Sequence, residues 1–441
     1  MRRRFTLPLW ASCIVACASS QTRPAQVRAD ALDAPLKALA PELDALYVDL
    51  HAHPELSRQE AQTSAKLAAK LRTLGFRVHE KVGGYGIVAL LQNGKGPTLL
   101  LRTDMDGLPV EEKTGLPYAS KVKAKDPQGK EVSVMHACGH DVHMSAWVGA
   151  ATLLSRLKSR WRGTLLMVAQ PAEEIGQGAK AMIEDGLFKR FPKPDMALAL
   201  HTDANLPAGQ IAVSGGFTFA NVDSVDVTLY GKGGHGGYPH KSVDPVVMSA
   251  QLVTALQTLI SRSQAPTEPA VVTVGSIHGG TKHNIIPDEV KLQLTLRSYT
   301  PESRRALRKG VERVVLGTAQ SAGAPKAPSL HFEEGPQAVY NDPALAKRIA
   351  SALEKGFPKG QVREQEKTMG AEDFGVYGQL GKIPSVIMRL GTVDPVRFAE
   401  AQRRGEALPS LHSPLFAPDK SRSLTAGARA LTVAALGLLS P

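Results

Sequence analysis

Apolar residues recur at three- and four-residue steps from Ala31 to Leu74, with Leu36, Leu39, Leu43, Leu46 and Leu50 along one stripe and a second such stretch from Ala61. That spacing predicts helix, and Gly75 ends it. The period then shortens. Residues 76–78 and 86–91 read as strands, and 97–102 is a continuous apolar run of the kind buried on both faces of a parallel sheet. Residues 141–157 are helical, while 163–168 and 196–200 are further buried strands. Each of the three buried runs finishes beside a polar residue able to hold a metal: Asp104 and Asp106, then Glu173 and Glu174, then His201. Open α/β sheets bind ligands at the carboxyl ends of their strands, so the three runs point to one site.

From about Gly215 the texture changes. Residues 222–230, 270–277 and 290–297 read as strands, and 243–261 and 301–319 as helices, describing a compact α+β unit over 217–329. Residues 325–328 read as a linker, and 330–441 return to helix and buried strand. The smaller unit is thus inserted between two parts of a larger one, 31–216 and 330–441.

A length of 441 residues favours more than one domain. Hydrophobic content of 43% with 21% charged residues is that of a soluble globular chain. The net charge of +12 is scattered and only 5% of residues are aromatic, which speaks against nucleic acid as a partner. The amino terminus changes the picture more. Arg2, Arg3 and Arg4 precede an apolar stretch, 5–18, too short to span a bilayer as a mature helix. This is the form of an export signal over 1–18. Ile14-Val15-Ala16-Cys17 also fits a lipoprotein signal of 1–16, with Cys17 carrying a lipid anchor. The expected location is outside the bacterial cytoplasm, either periplasmic or as a membrane-anchored lipoprotein. Cys13 and Cys17 then belong to the signal, leaving Cys138 with no internal disulfide partner.

Cys138 stands in the run His136-Ala137-Cys138-Gly139-His140-Asp141-Val142-His143. Thiolate, imidazole and carboxylate are the ligands a catalytic zinc site uses. In a loop, one of Glu173 and Glu174 can bind metal while the other faces a water as general base. The same residues admit a competing reading in which Cys138 is a nucleophile and His140 its base. His136 and His143 read as packing or hydrogen-bonding residues.

Five segments together resemble the aminoacylase/carboxypeptidase metallohydrolase family. They are 136–143, Pro171-Ala172-Glu173-Glu174, Gly233-Gly234-His235-Gly236-Gly237-Tyr238-Pro239-His240, Gly279 to Asp288, and Met369-Gly370-Ala371-Glu372-Asp373-Phe374. The closest resemblance is to the amidohydrolase branch, with its hippurate and indole-acetyl-amino-acid hydrolases, and it extends from about Leu36 to the end of the chain. It implies a zinc-peptidase-like α/β catalytic domain with an inserted ferredoxin-like α+β dimerisation domain, and hence a homodimer. It implies two divalent ions per chain, zinc, or else manganese, cobalt or nickel. The implied ligands are Cys138, His140, Glu174, His201 and His412, with Cys138 bridging, Glu173 as general base and Asp106 orienting a ligand. Where Asp104 stands, the wider family has a histidine, and His140 takes over its role. His235, Asn284, Arg297 and Gly370 match positions that reach the substrate, the first two across a dimer interface. The implied reaction is hydrolysis of the amide of an N-acyl amino acid or small peptide carrying a carboxylate, through a metal-activated water. A carboxypeptidase or dipeptidase of the same family is the alternative, and an envelope binding protein that kept the fold without catalysis is the non-enzymatic one.

Overall fold

The computed structural model describes residues 29–440, so the signal expected over 1–18 lies outside the described residues. An eight-stranded mixed sheet runs from edge to edge through Arg77–Val82, Gly86–Asn93, Gly163–Gln170, Thr98–Asp104, Met196–Pro207, Ser385–Val393, Ile211–Ala212 and Val362–Arg363. Its four central strands, from Gly163–Gln170 to Ser385–Val393, are parallel. Leu99, Leu101, Leu165 and Met167 enter the core on one face, and Leu100, Leu166 and Val168 enter the core on the other. Burial on both faces is why these strands are uninterrupted apolar runs rather than alternating ones.

Helices Asp33–Ala52, Ala61–Thr73, His140–Arg156, Pro343–Gly356 and Lys420–Leu439 cover the first face. The helix read over 31–74 is interrupted between Ala52 and Ala61, in a segment where Glu60 is buried. His140–Arg156 is buried almost throughout, which its apolar residues on every side require. Met196–Pro207 extends beyond the sequence reading: His201 lies within the strand and not at its end, because Arg389, Leu390 and Gly391 continue to pair with His201, Thr202 and Asp203. Among the described residues no helix is long and apolar enough to cross a membrane.

The inserted domain has its own core, around Val225, Leu252, Leu292 and Val311. Strand Asn221–Tyr230, helix Pro245–Thr258, strands Ala270–His278 and Glu289–Ser298, helix Pro301–Ser321 and strand Ser329–Glu334 follow in that order. Taken in chain order, the four strands lie 4-1-3-2 in one antiparallel sheet, the ferredoxin-like arrangement. The sequence reading ends the insert at 329 and so gives all but the first residue of this last strand to the larger unit. Instead it pairs with Asn221–Tyr230 at the sheet edge. Ser-Leu-His-Phe-Glu-Glu is too polar and too short to announce itself by periodicity.

Candidate metal centre

The carboxyl ends of the central strands open into a cavity of about 1370 Å³. Cys138, Glu173, Glu174, His201 and His412 line it from the catalytic domain, and Arg297 from the inserted domain. Gly139 places the first two ligand-type side chains. Its φ of +82° turns the chain left-handed into the helix that starts at His140, and an added Cβ would meet Thr202 at 2.8 Å. The Glu173–Glu174 loop begins at Ala172, also left-handed at φ +54°. His412 has φ +66°, and its backbone N–H donates to the Ala137 carbonyl at 2.8 Å, which ties a residue distant in sequence to the Cys138 loop.

Two trios of potential ligands share one sulfur. Cys138, His140 and His201 form the first, and Cys138, Glu174 and His412 the second. The Cys138 Sγ lies 3.7 Å from His201 Nε2, and His412 Nε2 lies 3.5 Å from a Glu174 oxygen. His201 Nδ1 donates to the Thr202 carbonyl at 2.8 Å, which leaves Nε2 as a lone-pair donor toward the thiol. Both ring nitrogens of His140 and the Glu174 Oε1 are buried without a hydrogen-bond partner. Each such orphan costs about 1–3 kcal/mol unless something satisfies it. A shared thiol, three imidazoles and a carboxylate with unspent lone pairs are a donor set that fits two divalent cations.

The electrostatics follow from burial. Burial pushes the Cys138 thiol well up, and the Glu174 carboxylate adds to the shift. A nucleophilic thiol needs the opposite, so the reading of Cys138 as nucleophile is not supported, whereas coordination deprotonates a thiol outright. Burial also carries the Glu174 carboxyl up to about 8, with His140 opposing. Burial, then Glu372 and Glu174, hold Glu173 well above the usual carboxylate range. Burial alone would lower His140, but Asp104 and Asp106 outweigh it and hold the ring high.

Asp106 accepts the backbone N–H of Glu173 at 3.1 Å and of Glu174 at 3.0 Å, and the Ser57 hydroxyl at 2.6 Å. Asp104 is engaged at both oxygens: Oδ1 takes His143 Nδ1 at 2.6 Å and Oδ2 takes Arg102 at 2.7 Å. His143 in turn accepts the Thr202 N–H at 2.7 Å, a hydrogen-bonding role. His136 is buried with both nitrogens unpartnered, and burial lowers it to about 4.

Arg297 lines the cavity half-buried and donates to the Met369 carbonyl at 2.9 Å, and Gly370 lies beside it on the cavity wall. His235 and Asn284 are elsewhere. They sit close together on exposed loops of the inserted domain, paired through His235 and Ile285, and neither lines the cavity. The residues that sequence reasoning missed are the charged groups that crowd Glu173. Arg102 binds Glu372 at 2.8 Å and Asp373 at 3.1 Å, and oxygens of Glu173, Glu372 and Asp373 gather within 4.8 Å of one another. In the sequence Glu372 and Asp373 stand out only as part of the 369–374 motif. The overlooked signal was Arg102, a charge at the end of an apolar run that burial obliges to find partners.

An α/β sheet carrying a buried sulfur, imidazole and carboxylate cluster at its strand ends, with a ferredoxin-like insert facing it, is the form of a metal-dependent hydrolase. Residues 100–402 match the model of peptidase family M20/M25/M40, and the chain belongs to that family. It is 38% identical to a probable hydrolase of Synechocystis sp., over 88% of this chain and 93% of that protein. It is 36% identical to the N-acetyl-L-cysteine deacetylase of Bacillus subtilis, over 81% of this chain and 82% of that one. Among solved structures it resembles the Bacillus subtilis YXEP protein, a dinuclear metal binding peptidase of the M20 family. The TM-score is 0.73 and the identity 29%, covering 91% of this chain and 99% of that one.

Proposed function

We propose that this enzyme hydrolyses the amide bond of N-acyl amino acids. The observation that carries the reading is the pair of ligand trios joined at Cys138, with Glu173 beside them on the same cavity. Cys138, His140, Glu174, His201 and His412 would hold two divalent cations, zinc by the softness of the thiol, and these would lower the pKa of a water to about 7. Glu173 is the base. Its raised proton affinity suits a carboxylate that takes a proton from water as the oxygen–carbon bond forms and hands it to the leaving nitrogen as the carbon–nitrogen bond breaks. Arg297 presents its guanidinium to the substrate carboxylate, and Gly370 offers close approach to backbone.

His235 and Asn284, exposed and away from the cavity of their own chain, would serve a partner's cavity in a homodimer. Ile277, Ile285 and Tyr238 are large apolar residues exposed on the same domain, which supports that assembly. The basic start and apolar stretch over residues 2–18 support export, with or without a lipid on Cys17. The test is a panel of hippurate, N-acetyl amino acids and dipeptides offered to metal-reconstituted protein. Turnover of acyl amino acids that chelation abolishes is the expected result, and turnover of dipeptides alone would overturn the reading. Light scattering tests the dimer, and amino-terminal sequencing of the protein recovered from the envelope tests the export signal.

A further inference from the structure

Three arginines are buried among the described residues: Arg102, Arg304 and Arg389. Arg102 is held by Asp104, Glu372 and Asp373, and Arg304 by Asp223 at 2.7 Å. Arg389, 5% exposed, forms no ion pair among the described residues. One of its nitrogens stands 3.4 Å from the Thr202 carbonyl, a long bond, and its Nε has no partner. The same nitrogen lies 3.4 Å from His201 Nδ1, but that atom already donates to Thr202 and cannot accept. The guanidinium carbon sits 3.9 Å from the Phe219 ring centroid. A cation–π contact offsets only part of what burying an unpaired charge costs.

This cation is part of the catalytic cavity. Arg389 pairs in register with His201 across two parallel strands, so the two side chains leave the sheet on the same face, and Arg389 lines the cavity with Cys138 and His201. Arg297 reaches the same cavity from a different domain, on strand Glu289–Ser298, and has a different neighbour: it donates to the Met369 carbonyl, whereas Arg389, on strand Ser385–Val393, lies over the Phe219 ring. Two cations on one substrate cavity, neither in an ion pair among the described residues although Asp203 and Glu372 lie in the field of Arg389, call for anionic groups on the ligand.

We propose that Arg389 binds a second carboxylate of the substrate, so that the enzyme prefers N-acyl amino acids carrying an acid group beyond the one that meets Arg297. This rests on the amidohydrolase reading of the same cavity. The second carboxylate has two possible sources, the far end of a dicarboxylic acyl group or the side chain of an acidic amino acid. Both present the same charge to the guanidinium.

Binding separates this proposal from the reading of function. Calorimetric titration of the metal-loaded enzyme with succinate and glutarate, against butyrate, is expected to show the dicarboxylates bound about ten- to a hundredfold tighter. In Arg389→Gln that preference disappears, and in Arg389→Lys part of it returns. The Tm of unliganded Arg389→Gln is expected not to fall, because the substitution removes an unpaired buried charge; a purely structural arginine would lower it and leave the preference intact. Two kinetic arms then locate the acid group. N-succinyl-leucine against N-butyryl-leucine reads the acyl side, and N-acetylglutamate against N-acetylglutamine the amino-acid side. The arm whose kcat/KM ratio collapses about tenfold or more in Arg389→Gln names the source. Wild-type enzyme without dicarboxylate preference, or Arg389→Gln that keeps it, overturns the proposal. Absence of amide turnover with the binding preference intact overturns the function and leaves the Arg389 assignment standing.

Discussion

Asp106 receives the backbone N–H groups of both Glu173 and Glu174, one on each carboxylate oxygen. A carboxylate just past one strand thereby fixes the loop that follows its neighbour, and with it both the expected base and an expected ligand. Its Oδ1 also lies 3.5 Å from His140 Nδ1. An Asp106→Asn variant keeps the shape but offers an N–H where one backbone donor must be accepted. We expect metal content to fall and kcat to drop about 10- to 100-fold. Elemental analysis beside steady-state kinetics checks this, and an unchanged metal content at full rate would exclude the role.

Glu173 makes a different prediction, because it is not among the five ligands. Glu173→Gln should load metal normally and bind substrate with little change in KM, while kcat falls about 10²- to 10⁴-fold. A variant that loses metal instead would place Glu173 among the ligands.

Metal uptake should depend on pH. Burial carries Glu174 up to about 8 and holds the Cys138 thiol higher still, so both hold protons at neutral pH in the metal-free protein and must release them to coordinate. Affinity is expected to climb from pH 6.5 to 8.5, by about tenfold per pH unit for each proton released. Calorimetric zinc titrations in buffers of different ionisation enthalpy measure that release. A pH-independent affinity without proton release would contradict these protonation states.

A second buried group sets the stability of the metal-free fold. His51 lies 2.6 Å from Asp141 and 3.0 Å from Glu112. Burial alone would lower its pKa, but the hydrogen bonds to those carboxylates outweigh it and push it from 6.5 to about 10. The folded protein therefore holds this proton more tightly than the unfolded chain does. The stabilisation is complete below about pH 6.5 and is lost as pH rises through about 10. His51→Gln should lack that alkaline decline, a difference on the order of 2–4 kcal/mol across the window. Denaturant midpoints of both proteins between pH 6 and 10 test it, and parallel curves would refute it.

Much of this was legible in the chain itself, because some physics is local. Apolar runs buried on both sheet faces, the three- and four-residue helical steps, and the Cys138–His140 and Glu173–Glu174 pairs are written in neighbouring residues. These determined the α/β class, the insert and most ligand-type side chains. The edge strand Ser329–Glu334 escaped because half of its pattern belongs to its partner strand. His201 read as a strand end because the pairing that prolongs its strand comes from Arg389 to Gly391. Only the tertiary structure could decide that Arg102 meets Glu372 and Asp373, that His412 reaches Glu174, that His235 and Asn284 stand away from the cavity of their own chain, and that Arg389, among the described residues, is buried without an ion pair. Periodicity encodes which face of an element is buried. It carries no record of which distant charge will be waiting there, and for a buried charge that partner decides everything.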